Sequence, residues 1–112
     1  MSRAKFLDDP MFHLLRQGKI EEFNAQRAAG QSFDLRGADL RGTDLRELNA
    51  TGLDMSGCYL RQADLRGIDF SETRLDGASL FSAKISGALF PKALSAEEIN
   101  LSLTHGTRMR YR

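Results

Sequence analysis

Residues 33–92 read FDLRG ADLRG TDLRE LNATG LDMSG CYLRQ ADLRG IDFSE TRLDG ASLFS AKISG ALFPK, twelve consecutive units of five. The centre of every unit is apolar: Leu35, Leu40, Leu45, Ala50, Met55, Leu60, Leu65, Phe70, Leu75, Leu80, Ile85 and Phe90. With apolar residues at about 45% of an ordinary chain, twelve in succession would arise by chance on the order of once in ten thousand. The other positions are sorted as well. A small or apolar residue stands two before the centre, mostly Asp stands one before it, Arg often follows it, and glycine takes the fifth place seven times.

A period of five suits neither common element. Five residues of α-helix turn through about 500°, so the apolar column would spiral round the helix instead of forming a stripe. In a plain strand an odd period throws alternate centres to opposite faces. A short extended step followed by a corner satisfies the pattern. The centre and the residue two before it then point the same way, and glycine or a small polar residue permits the bend.

The A-D-L-R-G units at 38–42 and 63–67 resemble the pentapeptide repeat family. That resemblance covers residues 33–92, about half the chain, and implies a right-handed quadrilateral β-helix with one pentad per side and four per turn. The residues give their own hint of a twenty-residue turn. Gly37, Gly57 and Gly77 would stack at one corner, Phe70 on Phe90, and Leu48 on Ile68. The expected fold is therefore an all-β solenoid of about three coils, spaced by about 4.8 Å.

Such a stack exposes apolar rungs at both ends and requires caps. Asp9-Pro10 reads as an N-cap with proline at the first helical position. Met11, Leu14 and Leu15 precede a break at Gly18, and Ile20, Phe23 and Ala28 follow it. A bent helix or helix–turn–helix from 10 to 29 should cover the first coil. At the other end Ser95 to Glu98 has capping-box spacing, predicting a helix from 96 to about 105 that stops at Gly106. Ile99 and Leu103 share one side of it and Leu101 lies elsewhere. The tail alternates, with Met109 and Tyr111 facing opposite to Arg108, Arg110 and Arg112. It is expected to lie along the last coil, with a homodimer contact through Leu101, Met109 and Tyr111 as the alternative. The organisation predicted is a helical cap at 1–30, a repeat region at 31–94, and a helix with a basic tail at 95–112.

Composition narrows function without naming it. The net charge of +1 supplies no global field toward a polyanion. The opening residues hold no apolar stretch of signal-peptide length, and no run approaches the roughly 18 apolar residues of a membrane helix. A soluble, cytoplasmic protein without membrane contact is expected. His13 and His105 are far apart in sequence and in no metal-ligand spacing. The single cysteine, Cys58, falls in an inward small-residue slot and reads as an inert core thiol. No nucleophile elbow, phosphate loop or zinc-protease motif is present. The Asp positions do not follow the nine-residue period of calcium-binding β-rolls. No catalytic, cofactor or metal residue is expected, and the chain is not read as an enzyme.

The family resemblance brings DNA mimicry to mind, in which quinolone-protection members bind DNA gyrase with an acidic face. Residues 33–92 carry seven Asp and two Glu against six Arg and two Lys. With Arg41 above Arg61 and Arg46 above Arg66, two sides carry positive charge where a mimic needs negative. Anionic-ligand or nucleic-acid binding through these Arg columns is a third reading, opposed by the Asp column beside each one. The leading expectation is a rigid scaffold that contacts a protein partner. Tyr59 and Phe81 would point outward beside Arg41 and Arg61, and aromatic residues with Arg typify interface centres. The candidate surface is Arg41, Tyr59, Arg61 and Phe81, with Arg46 and Arg66 on the neighbouring side.

Leu65→Asp, which places a charge mid-core, is expected to abolish folding, whereas Arg66→Ser should leave the melt almost unchanged. Circular-dichroism melts of the two variants check the inward and outward assignment, and similar melting for both would contradict it.

Overall fold

The computed structural model describes residues 9–112. Residues 1–8, the start of the expected N-terminal cap, lie outside the described residues.

From residue 33 the backbone returns to itself every twenty residues. Parallel bridges join Asp39 to Tyr59 and Tyr59 to Ser79, and likewise Asp44 to Asp64 and Asp64 to Lys84, with Asp54 bridged to Arg74 and Asp69 to Leu89. Four pentads thus make one coil. The first side holds 33–37, 53–57 and 73–77; the second holds 38–42, 58–62 and 78–82. The third holds 43–47, 63–67 and 83–87, and the fourth 48–52, 68–72 and 88–92.

The expected all-β solenoid between helical ends is met in part. Among the described residues there is no continuous strand, only isolated bridges, and the regular elements are three helices. The cause is the length of a side. On the second side, for example, Leu40 donates its N–H to the Tyr59 carbonyl at 2.9 Å, and Tyr59 donates back to Ala38 at 2.9 Å. The chain then turns: the Leu60 carbonyl accepts from the Ala63 N–H at 3.0 Å. Two residues per side are too few to propagate a strand.

The corner residue adopts left-handed backbone, as at Gly57 with φ 69°. Glu47, Gln62 and Ser82 occupy the same place at φ 73°, 59° and 58°, a conformation that costs a side-chain-bearing residue roughly 1–2 kcal/mol. Glycine is also demanded by proximity. A Cβ on Gly77 would stand 3.5 Å from the Gly57 nitrogen, so these corners stack backbone on backbone.

Inside, the unit centres fill the shaft. Ten of the twelve are buried, from Leu35 to Leu80, while Ile85 and Phe90 in the third coil are half-buried. Phe70 and Phe90 stack with centroids 5.9 Å apart. Burying each Leu is worth roughly 1.5–3 kcal/mol. Cys58 is fully buried, donates to the Leu35 carbonyl, and has its thiol pushed up to about 12 by burial.

The first coil has no coil before it, and helices close that end. Helix α1 spans Pro10–Arg16 and α2 spans Ile20–Ala28, separated at Gly18. Asp9 accepts from the Met11 N–H at 2.8 Å. Met11, Phe12, Leu15 and Phe23 are fully buried, and Ile20 nearly so; Ala28, at the end of α2, is exposed. Polar side chains on these helices take the place of missing backbone. Asn24 donates to the Glu47 carbonyl and accepts from the Asn49 N–H, as a peptide group would. Arg16 reaches the Asp39 and Arg41 carbonyls, and Arg27 the Asn49 and Thr51 carbonyls.

At the far end α3 spans Ala96–His105, capped by Ser95, whose hydroxyl accepts from the Glu98 N–H at 3.1 Å, and stopped by Gly106 at φ 73°. Glu98 does not complete a reciprocal box; its carboxylate holds Arg110 instead. The tail then lies along the third coil. Met109 donates to the Ala78 carbonyl and accepts from the Gly77 N–H, at 2.9 and 2.7 Å. The Leu75 N–H donates to the Tyr111 hydroxyl and the Leu80 N–H to Ser102 Oγ. These bonds close the first and second sides. On the third and fourth sides the last unit centres, Ile85 and Phe90, stay half-buried; Leu89 is 57% exposed at an outward position and Leu101 38% exposed on α3.

Ser102→Ala removes a buried hydroxyl that accepts from Leu80 and donates to Thr107. It should cost about 1–3 kcal/mol by leaving the Leu80 N–H unsatisfied, read as a lowered denaturation midpoint, while Thr104→Ala on the exposed face of α3 should cost little. Cys58 should resist a thiol reagent at pH 8 in the folded protein and react at once in denaturant; prompt labelling of native protein would contradict the core placement.

Candidate functional site

The outward side chains form a ladder of forks. Asp34, Asp39, Asp44 and Asp64 each accept from the backbone N–H of the arginine two residues on, at 3.0–3.3 Å. The same arginines, Arg36, Arg41, Arg46 and Arg66, close bidentate pairs at 2.6–3.0 Å. Each Asp therefore braces the turn and neutralises an Arg at once. Asp64 is also 3.4 Å from Arg46 on the preceding coil. The hydrogen bond from Arg66 is the main cause that draws the Asp64 carboxyl down to about 2; the hydrogen bonds from Arg41 and Arg46 lower the Asp39 and Asp44 carboxyls from their ordinary value. Pairs this exposed are screened by solvent and contribute little to stability. Their larger effect is to remove arginine charge from the surface.

The second side breaks this order. Tyr59 stands where the pattern has Asp, and Phe81 where it has Arg. Arg61 lies over the Phe81 ring, 4.7 Å from its centroid, and Arg108 from the tail lies 5.0 Å from the centroid of Tyr59 while donating to its hydroxyl. Gly106 packs against Phe81, where a Cβ would stand 3.4 Å from Phe81 Cβ. A cleft of about 390 Å³ results, lined by Arg41, Tyr59, Arg61 and Phe81 from the coils and by His105 and Gly106 from the end of α3.

Of the residues singled out in the sequence, Arg41, Tyr59, Arg61 and Phe81 come together in this cleft. Arg46 and Arg66 stand on the third side, each engaged with an Asp. Leu101 is exposed on α3. Met109 and Tyr111 need correction as candidate dimer contacts. Met109 is 1% exposed and Tyr111 is half-buried with its hydroxyl bonded to Leu75, so both are used within the chain as contacts of the tail. Phe81 is half-buried under the terminal segment, and Leu89 is not covered.

Sequence reasoning missed His105 as part of the cleft and Arg108 as the cation over its Tyr59. The alternation of the tail placed Arg108 outward but carried no sign of which side it would meet. Among the described residues no group of three or more His, Cys, Asp or Glu is arranged to hold a metal ion, and no helix is long and apolar enough to cross a membrane.

No curated protein and no solved structure matches the chain. The family described as pentapeptide repeats matches residues 31–62 and 58–93, in eight copies, which together span more than half of the 112 residues. Pentapeptide repeats generally form right-handed quadrilateral β-helices and serve as structural or interaction proteins without catalysis. The twenty-residue coil, the fork ladder and this match agree on one conclusion: the chain belongs to the pentapeptide repeat family.

Proposed function

We propose that the protein is a cytoplasmic scaffold, a right-handed quadrilateral β-helix at 31–94 between a helical cap at 1–30 and a helix with a basic tail at 95–112, which binds a protein partner through its second side. The observation that carries this reading is the cleft itself. It gathers two aromatic rings and two stacked guanidinium groups on one rigid face, the residue types that dominate interface centres. A coil hydrogen-bonded to its neighbours presents that face with little ordering cost on binding.

The charge layout argues against nucleic-acid mimicry. The Asp residues that could imitate phosphates are engaged with Arg on three of the sides. The same pairing argues against broad nucleic-acid binding by the Arg columns, whose charge is already matched. A second reading, homodimerisation through the C-terminal end, is favoured by the open coil edge. Leu89 is exposed on the third coil and Ile85 and Phe90 are only half-buried, while Leu101 is exposed on α3.

A tagged pull-down from native cells with the wild-type protein and with Tyr59→Ala/Phe81→Ala is expected to show specific partners lost in the double variant, at unchanged circular dichroism. An unchanged partner list would reject the second side as the binding face.

A further inference from the structure

The unmatched charge on the second side identifies what the face is built to receive. Four arginines that follow a unit centre take both oxygens of the Asp two residues earlier, and Arg61 is the fifth at that position. With Tyr59 in place of the Asp, Arg61 has no carboxylate within ion-pair distance among the described residues. Arg108 enters the same region from the tail, donates to the Tyr59 hydroxyl and the Gly77 carbonyl, and also has no carboxylate partner there.

Side-by-side bookkeeping isolates the surplus. On the third side Asp44, Glu47 and Asp64 match Arg46, Arg66 and Lys84. Counted over the coils' own residues, the first side has Asp34, Asp54 and Asp76 against Arg36 and Arg74, and the fourth has Asp69 and Glu72 against Lys92, each short of one positive charge, with Arg27 and Arg112 donating to carbonyls of the fourth. On the same count the second side has Asp39 against Arg41 and Arg61, one positive charge in excess, and Arg108 and Arg16 reach it from the terminal segments. The aromatic rings hold the Arg61 and Arg108 guanidinium groups in place.

We propose that Arg61, with Arg108 beside it, is a seat for an Asp or Glu side chain in an acidic segment of the protein partner, which supplies the carboxylate that Tyr59 withholds. The inference rests on the second side being the binding face. A planar guanidinium favours a carboxylate held by two parallel bonds, and the internal forks show that geometry on the same backbone turn. A peptide fits better than a nucleic acid because, among the coils' own residues, the surplus is confined to one side. A duplex bound through roughly 6–10 phosphates would run onto neighbouring sides whose charge is balanced or negative.

Fluorescence anisotropy with a labelled peptide of alternating Asp and Glu tests this, beside a matched Asn and Gln peptide and a single-stranded oligothymidylate of equal length. The acidic peptide should bind the wild-type protein and the neutral one should not. Arg61→Ala should weaken binding roughly tenfold, the loss of about one charge-assisted contact. Tyr59→Asp, which restores the internal fork, should do the same with a native melt, and Arg46→Ala on the third side should change nothing. Equal affinity of Arg61→Ala and wild type, failure of the acidic peptide to bind, or tighter binding of the oligonucleotide would each overturn the proposal. If Tyr59→Ala/Phe81→Ala loses the cellular partners while Tyr59→Asp keeps them, the face stands and the carboxylate seat falls.

Discussion

Every coil of this protein depends on main-chain hydrogen bonds exchanged with the coil above and the coil below; between the second and third coils the second side makes three, Leu60 to Ser79, Ser79 to Cys58 and Gln62 to Phe81. At a unit centre the N–H points forward, as from Leu60 to Ser79, and the residue before it points back, as from Tyr59 to Ala38. A single pentad cannot persist, because ordering five residues costs more than one buried Leu returns. Stacking supplies the balance and creates the liability as well, since the first and last coils each lack a neighbour.

The two ends meet that liability differently. The N-terminal helices bring side chains that imitate main chain. Asn24 is both donor and acceptor to the edge of the first coil, and Arg16 and Arg27 satisfy four of its carbonyls. The C-terminal segment uses real backbone at Met109 and two hydroxyls, at Ser102 and Tyr111. Its bonds fall mainly on the first and second sides, with Arg112 reaching the Lys92 carbonyl of the fourth, and Ile85 and Phe90 stay half-covered. The same segment that closes the second side also carries Arg108 and His105 to the cleft, so the cap and the candidate binding face are one assembly.

The fork of Asp and Arg makes a surface rich in charge and poor in net field. Asp braces its turn through the backbone N–H two residues on, and the arginine that follows neutralises it. Beside the four forks at Asp34, Asp39, Asp44 and Asp64, the presence of Tyr59 in place of Asp before Arg61 has an outsized effect. It removes one negative charge, releases Arg61 from a fork, and offers a ring and a hydroxyl to Arg108. The tail places Gly106 against the other aromatic side chain, Phe81.

What the residues alone determined was everything repeated at short range: the five-residue period, the inward column, the corners, the three helices and their caps, and the pairing of Tyr59 and Phe81 with Arg41 and Arg61 on one side. These follow from local geometry and from a fixed twenty-residue step, which a linear reading can count. The tertiary structure decided what depends on contacts without a period. Phe12 and Ser102 became buried because α1 and α3 had to present something to particular coils. Met109 went under cover because the Gly77 N–H and the Ala78 carbonyl lacked a fourth coil. Arg108 joined Tyr59 only because that edge drew the tail across the second side, a path that no spacing in the sequence encodes.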